Sequence, residues 1–286
     1  MARPLRIEYP GATYHVTARG NERAMIYRDD EDRTRFLAEI SRASDRLAWN
    51  VLAYCLMGNH YHLVIETPNG NLARGMRDIN SIYAQGFNRR HDRVGHLFQG
   101  RYRGILVQTD LYFSTLIRYV VRNPVRAGLC ATPEEWRWSS HPATLGITQP
   151  PDFLRVGQVL AEFGANHEAA RDQYRAFVGD SGDDSAWDPL AGRVIHGTPE
   201  FERETIALAS DRVCAEIPDR QRTSTRPSLT DLLRPGASGE GILEAHRVHG
   251  YRLSEIARLL GMHPSTVTRR LRSAESRAAQ RSRLTV

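Results

Sequence analysis

The chain has 286 residues, 41% of them hydrophobic and 25% charged, with a net charge of +6 and a pI near 9.5. That is the composition of a soluble globular protein, long enough for one large domain or a few small ones, and its basic balance favours a polyanionic partner. All 39 basic residues are arginine, which grips phosphate with a planar fork and stacks on bases. Cys55, Cys130 and Cys214 are far apart and show no C-x-x-C spacing, so neither a zinc site nor a disulfide framework is suggested, and a reducing cytoplasm fits. No apolar run is long enough to span a membrane, and no apolar stretch follows the opening residues Met1 to Arg6, so no membrane partner is expected.

Thr13 to Arg19 alternates as a strand, with Tyr14, Val16 and Ala18 on one face and Thr13, His15, Thr17 and Arg19 on the other. Gly20-Asn21 ends it, with Arg23 just beyond. A helix is expected over Asp29 to Trp49, its first turn acidic as the helix dipole favours. Val51 to Met57 reads as a strand that turns at Gly58-Asn59 into another strand from His60. Leu72 to Asn88 reads as a helix, Ile105 to Gln108 as a short strand, and Leu111 to Arg122 as a helix closed or kinked by Asn123-Pro124. Strands separated by helices with one tight turn indicate an α+β fold, a ferredoxin-like antiparallel sheet backed by helices. Ala131 to Pro151 is expected to be irregular and packed back on this domain, and Phe153 to Val178 and Pro199 to about Leu208 to be helical. The expected domains are 1–150, a helical accessory region 151–217, and an all-α domain 218–286 that begins with a linker from Pro218 to Pro227.

Within that last domain Leu253 to Leu271 has the form of a helix-turn-helix. Ala257 is small where two helices would cross, Gly261 permits the turn, and Pro264 suits the first turn of the next helix. Ile256, Leu260, Met262 and Val267 fall where apolar residues are wanted; Arg270 departs from the pattern, and Leu271 stands ready in its place. Ser265, Thr266 and Arg269 would then reach base edges or phosphates of duplex DNA. The tail adds Arg272, Arg277, Arg281 and Arg283 against Glu275.

The chemistry starts from His60 and His62. One residue apart on a strand, they share a face and supply half of a divalent-metal site. Tyr119 lies one helical turn before Asn123, so the two share a face, flanked by Arg118 and Arg122. A tyrosine hydroxyl can attack phosphorus, but its free pKa of roughly 10 demands activation or a charge-stabilised transition state. A metal held by His60, His62 and an oxygen of Asn123 would supply this. Tyr112 is the alternative nucleophile. His15 and Arg19, with Asn21 and Arg23 beyond, and Arg101 and Arg103 around Tyr102 suit a single-strand groove.

Four stretches, Tyr14 to Asn21, Met57 to Leu63, Phe98 to Tyr102 and Tyr119 to Gly128, together resemble the REP-associated tyrosine transposases, bacterial single-tyrosine HUH enzymes. The resemblance covers roughly residues 5–145. It implies metal-dependent cleavage and rejoining of single-stranded DNA beside palindromic-repeat hairpins, with magnesium or manganese and no nucleotide cofactor. His60 and His62 match the HUH pair, Tyr119 the nucleophile and Asn123 the third ligand, although related enzymes use glutamine at that offset. A nucleoid-associated protein, monomer or homodimer, is expected. Two other readings stay open. One is a transcription regulator that works through the helix-turn-helix with an inactive N-terminal domain. The other is a metal-dependent phosphoesterase that uses water.

Overall fold

The computed structural model describes residues 7–180, 187, 194–213, 229–233, 239–247, 251, 253–263, 265–271 and 273–274. The expected linker from Pro218 to Pro227, Pro264, Arg272 and the basic tail lie outside these residues. Two compact units are present, one ending at Thr205 and one beginning at Ile206.

In the first unit the elements run β1 (Ala12–Arg19), α1 (Asp30–Leu47), β2 (Asn50–Leu56), β3 (His60–Thr67), α2 (Leu72–Arg90), β4 (Arg103–Val107) and α3 (Thr109–Val121). The sheet order is β2-β3-β1-β4, antiparallel throughout, which is the expected ferredoxin-like arrangement. Two departures extend it. A two-residue strand β5 (Ile195–His196) adds to β4 in parallel. Helix α3 ends at Val121, just before Asn123-Pro124, as expected, and a further turn, α4 (Asn123–Arg126), starts there, because proline is tolerated where a first-turn N–H would have no partner.

Alternation along β1 and β3 sorts residues between two layers. On one face, Phe36 of α1 meets Tyr61 of β3 with ring centroids 4.7 Å apart, and Met76, Ile79 and Tyr83 of α2 are buried there. The α1–α2 seam is tight: a Cβ at Gly75 would come within 2.2 Å of the Trp49 ring. The Asp29 side chain caps α1 by accepting from the Asp32 N–H at 3.0 Å, and Arg90 from the end of α2 pairs with Asp29, Glu31 and Asp32. The other face carries His15, His62, Val64 and Ile105 and is covered by α3 through Phe113, Leu116, Ile117 and Val120.

The segment after α4 returns to the edge of β2, where Leu56 N–H donates to the Trp138 carbonyl and Ser140 N–H to that of Tyr54. It contains the short α5 (His141–Thr144). The single helix expected from Phe153 to Val178 is two, α6 (Val156–Ala161) and α7 (His167–Gly179). They are broken where Gly164 adopts a φ of +142° and Asn166 caps α7. Val159, Leu160, Ala170, Tyr174 and Val178 share the core behind α3. Helix α8 (Pro199–Val213) follows β5.

The second unit contains α9 (Leu229–Leu232), α10 (Gly239–Arg247), α11 (Leu253–Leu259) and a helical stretch over residues 265–271. Leu233, Ile242, Ala245, Tyr251, Ile256, Ala257, Val267 and Leu271 form its core. Gly261 takes a φ of +62° in the turn, which glycine adopts without steric cost. Leu271 is buried, so it fills the apolar place that Arg270 leaves.

Candidate active site

A cavity of about 560 Å³ opens on the α3 side of the sheet, lined by residues of β1, β3, β4, α3 and α4. Pairing register assembles it: Thr17 of β1 stands opposite His62 on β3 and Arg103 on β4. The strap of residues 97–101 closes one side, held by Asn21 N–H to the Leu97 carbonyl at 2.8 Å and Gln99 N–H to that of Arg19 at 2.9 Å.

His60 and His62 face the cavity with ring centroids 5.1 Å apart. His15 Nε2 and His62 Nδ1 are 2.9 Å apart, and the two rings are stacked at 5.2 Å. His62 Nε2 is buried and has no hydrogen-bond partner. His60 is held by its Nδ1 at 2.7 Å from Asn59 Oδ1. Burial lowers all three imidazole pKa values. His15 falls to about 3, with Arg103 and His196 adding repulsion, and His60 to about 4, with Arg19 adding to it. His62 goes well below the usual range, repelled further by His15, His60, Arg126 and Arg19. The three rings are therefore neutral at neutral pH, the form that binds a metal.

Tyr119 presents its ring edge-on to His15 and His62, at 5.8 and 5.9 Å between centroids. Asn123 lies on the same side of the α3–α4 turn. Its Nδ2 donates to the Tyr119 carbonyl at 2.8 Å, which leaves Oδ1 as the end available to a ligand. Among the described residues no three His, Cys, Asp or Glu side chains are arranged so that they could hold a metal ion by themselves. A cation on His60 and His62 would need an oxygen from Asn123 or from substrate. The orphaned His62 Nε2 and the neutral histidines fit that role. Arg19, Arg101 and Arg103 line the cavity and, among the described residues, no carboxylate does, so it suits phosphate.

Not every expected residue converges here. Arg118 is buried, with its guanidinium 4.6 Å from the Phe177 ring centre, and Arg122 donates to the Val178 carbonyl at 2.7 Å. Both face α7, not the cavity, because α7 covers the back of α3. Neither lines the cavity, against the expectation that they flank the Tyr119 face. Arg126 takes that place, with its guanidinium 4.7 Å from the Tyr119 ring centre. Sequence reasoning missed it, although a spacing of seven residues would place it on the Tyr119 face of a continued helix. Trp187, 6.0 Å from Tyr119 between ring centres, left no signal in the sequence. Tyr112 packs on His196 at 4.3 Å and is not part of the cavity lining. Asn21 lines a neighbouring cavity, and Arg23 is exposed in the turn after β1. In the second unit Thr266 is half-buried and Arg269 exposed, while the Ser265 hydroxyl lies 2.8 Å from His263 Nδ1.

Residues 8–123 match the family model described as "Transposase IS200 like", and residues 240–273 match that of "Bacterial regulatory protein, Fis family". No curated protein matches the chain. Among solved structures the chain is similar to one described as "Structure of the REP associates tyrosine transposase bound to a REP hairpin". That likeness has 16% identity and a TM-score of 0.45, and covers 53% of this chain and 89% of that one. No helix among the described residues is long and apolar enough to cross a membrane. The first family match opens just before β1 and closes on Asn123, so it takes in both histidines and Tyr119. Residues 8–123 are thus similar to the IS200-like transposases, and residues 240–273 to the regulatory proteins of the Fis family.

Proposed function

We propose that the chain cleaves and rejoins single-stranded DNA beside palindromic-repeat hairpins through a covalent bond to Tyr119. The observation that carries this reading is the convergence of Tyr119, His60 and His62 in one arginine-lined cavity. The family match over the same residues supports it. His60, His62 and Asn123 Oδ1 would hold a divalent cation, magnesium or manganese. Such an ion supplies Lewis-acid polarisation of the scissile phosphate.

The remaining work falls to the chain itself. Arg19, Arg101 and Arg103 bind the flanking phosphates. Tyr119 Oη attacks phosphorus and gives its proton to solvent; a Tyr Oη–P bond forms as a P–O bond to a sugar breaks. The leaving sugar oxygen takes up a proton. One phosphodiester is exchanged for another, so no nucleotide cofactor is needed, and reversal rejoins the strand. Arg126 packs its guanidinium on the Tyr119 ring and adds positive charge where the phosphate would lie. The fold of α3 and α4 keeps Tyr119 and Asn123 on one side through the Asn123–Tyr119 backbone bond.

The catalytic domain is taken as residues 1–150 and the duplex-binding domain as 218–286, with Ser265, Thr266 and Arg269 at the DNA. The buried core of the second unit supports a helix-turn-helix that folds for that role. Full-length protein incubated with labelled hairpin oligonucleotides and manganese should give a covalent adduct on a denaturing gel. Cleavage without an adduct would instead make water the nucleophile.

A further inference from the structure

Beside the catalytic cavity lies a second one of about 690 Å³, between α2 and the strap of residues 95–102. It falls in the size range of small-molecule sites. The two cavities share Gln99, Gly100 and Arg101, so the strap forms a ridge between them. The buried side chains of Met76, Leu97 and Phe98 contribute to its lining, and Tyr102 adds a half-buried aromatic ring.

Its polar equipment is unusual in kind. Asn21, Asn80, Gln85, Asn88 and Gln99 all line it and, among the described residues, no carboxylate does. Two of these amides are oriented by their neighbours. Asn80 Oδ1 accepts from the buried Tyr61 hydroxyl at 2.8 Å, which leaves its Nδ2 as a donor. Asn88 Nδ2 donates to the Gly95 carbonyl at 2.9 Å and its Oδ1 accepts from Arg93 Nη1 at 3.4 Å, which fixes the amide's orientation. Carboxamides offer a donor and an acceptor side by side, the complement of a base edge, and aromatic side chains stack on unpaired bases. A purely apolar ligand would leave these groups unmatched, and Arg77 and Arg101 at the same cavity suit the phosphates on either side of a base.

We infer that this cavity binds a nucleobase of the single strand, turned out of its stack, whose neighbouring phosphate lies over Arg101 on the ridge. The inference rests on the single-strand reading of the catalytic cavity and adds where the strand continues beyond it. Positions on α2, which no motif pointed to, would then help select the DNA sequence.

The test measures binding of the full chain to a labelled single-stranded oligonucleotide and to the same strand with abasic sites in place of bases. The wild-type protein should prefer the base-bearing strand by about tenfold, the scale of one stacked base. Gln85→Ala should reduce that preference, and Ala84→Trp, which fills the cavity, should abolish it while abasic-strand binding is kept. Circular dichroism and thermal melting confirm that both variants fold. Photo-crosslinking from 5-iododeoxyuridine should attach to Tyr102 or Phe98. Strand binding with an unchanged base preference in both variants, or crosslinks confined to the residues around His60 and Tyr119, would overturn the inference and leave the proposed function standing. Absence of any single-strand binding would overturn both.

Discussion

His15 Nε2 and His62 Nδ1 stand 2.9 Å apart, across neighbouring strands, with both rings buried. The contact occupies one ring nitrogen of His62 and leaves the other, Nε2, without a partner. Hydrogen bonds of this kind fix the tautomer and the ring orientation of a metal-binding histidine. His15→Ala should therefore lower manganese affinity about 10-fold to 100-fold, measured by isothermal titration calorimetry. His15→Gln, which keeps a hydrogen-bonding group, should recover part of the loss. Equal affinity in wild type and His15→Ala would show that His15 only packs.

The same histidines set an acid limit. His15 and His60 fall to about 3 and about 4, from an ordinary value of 6.5. Between those values the unfolded chain binds protons that the folded chain does not, so stability rises with pH. Their contribution is fully present above 6.5 and is lost as pH falls through that window. Denaturant midpoints of metal-free protein should drop steeply on acidification, and His15→Phe should flatten the slope. The same slope in both proteins would contradict this.

The arginines divide into two classes that one experiment separates. Arg101→Ala and Arg103→Ala should each lower the slope of log affinity against log salt for single-stranded DNA by about 0.7, one phosphate contact apiece. Arg118→Ala should leave that slope alone and cost about 1–3 kcal/mol of stability, because its guanidinium packs on Phe177 inside the fold. A salt effect at Arg118 would reinstate it as a DNA contact.

How far the sequence could be read follows from the physics of each part. Alternation is a strong signal in β1 and β3: it placed His60 and His62 on one face of their strand and His15 with Thr17 and Arg19 on one face of theirs, and the pairing register then joins the two faces. β5 is two residues long, too short for any alternation to show. The break before α7 depended on Gly164 and Asn166, which sit within an otherwise helical pattern. The arginine error had one cause. Helix periodicity gives the directions of Arg118, Arg122 and Arg126 around their axis, but not which side another helix will cover. That α7 covers the Arg118 side is a long-range fact.

The C-terminal helices should act separately from the chemistry. Arg269→Ala in the full chain should weaken duplex DNA binding by about tenfold, within the range of one lost base or phosphate contact. Adduct formation on a single-stranded hairpin should be unchanged. Loss of adduct in this variant would mean that the helix-turn-helix takes part in strand cleavage.

The most direct test of the central claim locates the covalent bond. The adduct formed with a hairpin oligonucleotide would be digested with nuclease and protease and the remaining nucleotide placed by mass spectrometry. The account predicts a phosphodiester on the hydroxyl of Tyr119, and no adduct from Tyr119→Phe although that variant still binds the strand. A nucleotide on Tyr112, or an adduct that persists in Tyr119→Phe, would contradict it.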